Sequence, residues 1–293
     1  MPDFIVQNLA IALALSASFM FAVSVQLTNL GLKHADPTVG VTIQIAVIAL
    51  IYWGLAPFYL ELTWLLTSAT LIFGLVGIFR PLISSNLSIN GVRLLGPTLS
   101  SALASTSPFW GAFFGVVFLS EVVTWPLAFG IGAIAAGLIT QAFRRQETKL
   151  SGWPLWALLL PLGAAFFRAL GHLFIKLGYD EVASPYYAAL VSSTVSCLIA
   201  LAIFRARGHK LQVRNAGTIW YVLSGALNAV AALAINNALM HGQIIEVVPL
   251  VSITPAITLL LTLFVFRREE ITLQKVITVA LVFVGVVVIT TSN

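Results

Sequence analysis

The sequence predicts an all-α membrane protein with ten transmembrane helices in two inverted five-helix repeats. Three observations carry that expectation. First, 59% of the 293 residues are hydrophobic and 9% are charged, where a soluble domain carries roughly 25% charged residues. With a mean hydropathy of +1.02, the chain has too few polar side chains to coat a water-soluble fold. Second, the apolar runs continue over about 20 residues, one helical crossing, instead of alternating over roughly 10 as outer-membrane strands do. Third, Asn90 and Asn237, Ser105 and Ser252, and Pro108 and Pro255 all lie 147 positions apart (237 − 90, 252 − 105, 255 − 108). Composition explains coincidences of Leu or Ala, but not of Asn, Ser and Pro at one register. One unit of half the chain is written twice.

The elements follow in order. Spans fall at 5–32, 39–60, 65–91, 97–119, 123–143, 153–177, 185–204, 218–240, 247–266 and 272–289. The N-terminus lacks a basic n-region and reads as an uncleaved first span. A hydrophilic piece, 144–152, separates a first unit, 1–143, from a second, 153–293. The register reaches the first spans as well, pairing Phe19 with Phe166 and Gly31 with Gly178. Five crossings per unit is an odd number, so the second copy enters the membrane upside down, as in secondary transporters with inverted repeats.

Basic residues set the orientation. Loops after odd spans hold Lys33, Arg93, Arg144, Arg145, Lys149, Arg205, Arg207, Lys210, Arg214, Arg267, Arg268 and Lys275; loops after even spans hold Lys176 alone. The positive-inside rule then places both termini outside the cytoplasm, in a multi-pass protein of the plasma membrane, read as a prokaryotic inner membrane.

Several function classes are disfavoured. Cys197 is the sole cysteine, which excludes an internal disulfide and a thiol–metal cluster. His34, His172, His209 and His241 have no metal-ligand spacing. The sequence has no phosphate-binding glycine loop, nucleophile elbow or paired buried carboxylate, so neither catalysis nor a cofactor is expected. The net charge of +5 resides in membrane-flanking loops and is no nucleic-acid footprint. The expected partners are a small-molecule substrate and the bilayer; no oligomeric state follows.

The candidate binding residues are those the membrane should reject. Arg80 lies deep in the third span, where an arginine costs about 2.5–3.5 kcal/mol to insert. Ser84 and Ser88 follow it on the same face. Arg168, His172 and Lys176 form one basic stripe at i, i+4 and i+8 of the sixth span. Lys176, near the end, is placed to snorkel; Arg168 is too deep for that. Every acidic residue falls near a span end or in a loop, so the counter-charge would arrive with a ligand whose carboxylate or phosphate suits guanidinium. Structural readings stand beside these: Arg80 snorkelling or capping carbonyls, and His172 neutral and hydrogen-bonding rather than carrying a proton. Gln44, Asn86, Asn90, Trp110, Asn236 and Asn237 are further polar or amphipathic groups at membrane depth, either lining the cavity or joining helices. Pro108 and Pro255 each remove a hydrogen bond inside a span and are candidate hinges. Gly130, Gly132 and Gly137 predict close packing of the fifth span.

Glu121-x-x-Thr124 and Glu269-x-x-Thr272, each followed by a glycine at equal spacing (Gly137 and Gly285), close the two proline-bearing spans. With the doubled Ser-x-x-Pro, these motifs make nearly the whole chain resemble the ten-span EamA-type permeases of the drug/metabolite transporter superfamily. The resemblance implies an exporter or exchanger of small metabolites, often amino acids, with a central cavity between the halves. Members of that family usually keep their termini in the cytoplasm, whereas the charge count here says the reverse. Arg80 and Arg168 match no family motif and rest on the residues alone. The alternative reading is a lipid-headgroup flippase or a membrane accessory subunit.

Overall fold

A computed structural model describes residues 3–31, 37–143, 154–206, 208, 216–265 and 272–291. The connecting piece 144–152 and Glu269 lie outside them. The first half supplies α1 (Asp3–Gly31), α2 (Pro37–Tyr59), α3 (Ala69–Gly77), α4 (Ser84–Ala104), α5 (Ser107–Leu119) and α6 (Trp125–Phe143). The second supplies α7 (Leu159–Gly178), α8 (Pro185–Ala206), α9 (Ala216–His241), α10 (Ile244–Ser252), α11 (Thr254–Leu260) and α12 (Leu273–Thr291). π-wound stretches follow α3 (Ile78–Ile83) and α11 (Leu261–Val265). No strand occurs among the described residues.

Seven helical segments among the described residues are long and apolar enough to cross a membrane. Three shorter apolar ones, Ala69–Arg80, Ser107–Leu119 and Trp125–Thr140, lie within the third, fourth and fifth expected spans. The outer face has the character lipid requires: Leu50, Phe58, Leu71, Phe129, Leu198 and Phe283 are 62–80% exposed. In water such a surface would drive aggregation; against acyl chains it is solvated.

The halves interlock. α1 lies along α9, α6 along α12, and α4 and α5 against α7. Lipid tails are as apolar as the helices they surround, so cohesion depends on close approach of small residues. Ala14, Ala17 and Ala22 of α1 and Ala231 and Ala238 of α9 are fully buried. Where α6 meets α12, a Cβ on Gly285 would come within 2.7 Å of the Gly130 carbonyl, and one on Gly137 within 3.0 Å of the Thr278 carbonyl. Gly132 instead faces open space.

Two kinds of break interrupt the helices. One kind recurs at the repeat register, at Thr106 and Ile253 (253 − 106 = 147). Phe109 and Trp110 N–H donate to the Thr106 carbonyl at 3.0 and 3.3 Å; Ala256 and Ile257 N–H donate to that of Ile253 at 2.8 and 3.1 Å. Thr106 and Thr254 hydroxyls turn back to the carbonyls of Leu103 (2.7 Å) and Val251 (2.8 Å). Pro108 and Pro255 therefore open α5 and α11, in the first turn, where a missing N–H costs nothing. This corrects the expectation of a proline inside each helix: any bending happens just before it.

The other break is unique. Arg80 has φ −132° and ψ 123°, an extended conformation between two helical segments. The cause is local, because a residue that precedes proline is pushed out of the α region, and Pro81 follows. The Ser196 hydroxyl, from α8, donates to the freed carbonyls of Gly77 (2.7 Å) and Arg80 (3.2 Å), the satisfaction that broken backbone in lipid demands. Below the break, α4 runs through positions 92–96, where a loop between spans was expected. Its Arg93, Leu94 and Leu95 are good helix formers, and the interruptions fall at Arg80 and Thr106 instead.

Candidate functional site

The broken third span meets α7 of the second half at a basic cluster. Arg80 Nη1 donates to His172 Nδ1 at 3.0 Å. Gly171, beside His172, lets the arginine stem lie flat on α7; a Cβ there would come within 2.8 Å of Arg80 Cδ. Arg168 lies one turn earlier on the same face and acts electrostatically on both Arg80 and His172. None of the three has a carboxylate partner among the described residues. Ser84, a turn past the break, is buried.

Aromatic rings wall the cluster. Phe79, the residue before Arg80, stacks on Phe167 at 5.7 Å and leans on Phe174 at 5.5 Å. Phe167 meets Phe166 edge-on at 5.5 Å, and Phe166 meets Trp110 of α5 at 5.1 Å. Trp110 thus joins the site through rings, not as a direct partner of the arginines. The rings make the surroundings of the cluster apolar, which strengthens the field of the cations.

The other expected site residues lie elsewhere. Gln44 donates to Thr28 (2.7 Å) and Ser224 (3.0 Å), in a hydroxyl cluster with Ser24 that joins α1, α2 and α9. Asn236, buried, donates to the Pro185 carbonyl at 3.3 Å and accepts Tyr179 Oη–H on its own carbonyl at 2.9 Å. It anchors α9 to the α7–α8 connection. Asn86 stands on an exposed face of α4. The structure thus shows Gln44 and Asn236 joining helices and leaves Asn86 on the exposed face of α4. Hydropathy gave their depth; only helix rotation reveals which neighbour each faces.

A second junction went unseen in the sequence. The Glu121 carboxylate, just past α5, accepts the first N–H groups of α10, those of Ile244 (2.8 Å) and Ile245 (3.0 Å). Ser120, in the left-handed region at φ 55°, turns the chain to aim it. Lys176 lies 3.7 Å from Glu121 and donates to the Gly242 carbonyl. The lysine expected to snorkel is instead tied into a link between halves. A carboxylate on a helix N-terminus meets both unsatisfied donors and the positive dipole end. The doubled Glu motif was the available signal, and its partner could not be read from sequence because 123 residues separate Glu121 from Ile244.

Comparison with known proteins locates this architecture. The sequence model of the EamA-like transporter family matches residues 8–141 and again 155–291. An uncharacterised protein of Methanocaldococcus jannaschii is 28% identical over 137 residues, which are 47% of this chain and 98% of that protein. That relative is therefore about one repeat long. A solved crystal structure superposes with a TM-score of 0.82 over 96% of each chain at 12% identity, a likeness of fold alone.

Proposed function

The chain belongs to the EamA-like transporter family, whose members are membrane transporters of small molecules rather than enzymes, and from that premise we propose that it moves small anionic or zwitterionic metabolites such as amino acids. Transport proceeds by alternating access, the two units (1–143 and 153–293) rocking as inverted repeats about a site between them. One observation carries the reading: Arg80 from the first half and Arg168 with His172 from the second converge with no carboxylate among the described residues to balance them. A guanidinium pair of this kind is completed by a ligand carboxylate or phosphate. The recurrent breaks before Pro108 and Pro255 supply the bending points. A relative one repeat long supports treating each half as a unit.

Counterflow of labelled amino acids and carboxylates into proteoliposomes tests the proposal. An anionic or zwitterionic compound should exchange, and Arg168→Ala should stop it while the protein still inserts. Movement of labelled phospholipid with no soluble metabolite would replace it with a flippase. A reporter fused to the C-terminus should read outside the cytoplasm; an inside signal overturns the orientation drawn from basic residues.

A further inference from the structure

Arginine carries only N–H donors, so the 3.0 Å contact between Arg80 Nη1 and His172 Nδ1 has one possible direction. Nδ1 presents its lone pair, the ring proton sits on Nε2, and the imidazole is neutral. A protonated ring would aim a second N–H at the guanidinium, and the two could no longer hold each other. His172 is 3% exposed, so water cannot take over as the acceptor's partner without rearrangement.

The charged groups that act on the ring are Arg80, from the π-wound stretch, and Arg168, from its own helix. Lys176, next along α7, is held by Glu121 and the Gly242 carbonyl, and Glu246 of α10 and Asp180 act on Lys176, not on His172. The remaining elements that pack on α7, namely α3, α4, α5, α9 and the turn Leu155–Leu158, bring no carboxylate to the ring among the described residues. Two cations therefore oppose any charge on His172 until a negative charge enters the site.

We propose that His172 takes up one proton with each bound anion, making the protein a proton–anion symporter. This rests on the anionic reading of the site and adds the coupling ion to it. The steps balance. An anion oxygen accepts the Arg80 N–H that Nδ1 held, a solvent proton adds to the freed Nδ1, and the imidazolium becomes a third donor to the anion. On release the anion leaves, repulsion from Arg80 and Arg168 expels the proton from Nδ1 to water at the same mouth, and Arg80 returns to the lone pair. Binding of anion and proton is reciprocal, since each must favour the other by the same factor.

The test is nitrogen NMR of the full chain in nanodiscs, with ¹⁵N-labelled histidine and arginine and with His172→Gln to assign the signal. Without anion at neutral pH, His172 should show the neutral ring protonated on Nε2. Acetate or inorganic phosphate should convert it to imidazolium at the same pH, and acetate should bind about tenfold tighter to the protonated site, an ordinary size for such coupling. In His172→Gln that pH dependence should vanish. If acetate shifts the Arg80 and Arg168 signals while His172 stays neutral at every pH, the anionic site stands and proton coupling is overturned. If neither acetate nor phosphate perturbs either arginine, both readings fall together.

Discussion

The third span and its repeat counterpart, α9, occupy the same place in the two halves, yet one is broken and the other is whole. The register of 147 carries Arg80 and Pro81 onto Leu227 and Asn228, in the middle of the uninterrupted helix Ala216–His241. The copy with proline loses its helical hydrogen bonds, exposes two carbonyls that Ser196 must satisfy, and swings one guanidinium onto the opposite half. The copy without proline packs quietly along α1. Duplication accounts for the scaffold, and the candidate site sits where the copies differ.

That contrast can be attacked directly. The largest effect should come from Arg168→Ala, which leaves an anion half-held. Removing one partner of a buried charged pair costs about 2–5 kcal/mol, so flux at low substrate should drop by about 30-fold or more; a smaller loss measured in counterflow would return Arg168 to a structural role. Next comes an exchange of the break between halves. Asn228→Pro should destabilise the intact α9 by about 3 kcal/mol, seen as lost thermal stability in detergent. Pro81→Ala should leave stability equal or higher while impairing flux, because Arg80 can regain helical geometry and withdraw from His172. Equal damage to stability from both would erase the distinction between the two spans.

Smaller effects probe what the halves share. Glu121→Gln should cost about 1.5–3 kcal/mol, the range for hydrogen bonds to a charged group, and a double-mutant cycle with Lys176→Met should show the two as coupled rather than additive. Gly285→Val should force α6 and α12 apart, at about 1–3 kcal/mol for overpacking, read as lowered thermal stability with substrate selectivity intact.

Much of this was legible beforehand, for identifiable reasons. Membrane class follows from composition, and the duplication from Asn, Ser and Pro at one spacing, both properties of the chain as a string. Arg80, Arg168 and His172 stood out because lipid penalises them wherever they are placed. The partners of Gln44 and Asn236 could not be read from the sequence, because a polar group at membrane depth is satisfied by whichever helix it faces, and facing depends on rotation. The exact site of each break was half-visible: Pro81 stands beside Arg80 in the sequence, but how far it displaces the chain is not visible there, and Pro108 and Pro255 were expected inside helices that they instead begin. The Glu121 junction was hidden because its donors are backbone N–H groups, present at almost every residue and marked by no side chain.

The central claim is that the break at Arg80 sets a basic site between the halves that anions reach from the aqueous phase. Its most direct test is cysteine labelling in a Cys197→Ser background, with Arg80→Cys or Arg168→Cys and a membrane-impermeant anionic thiosulfonate. Both positions should react from the aqueous phase. Reaction of both only with a lipid-soluble maleimide would place these side chains in the bilayer and contradict the account.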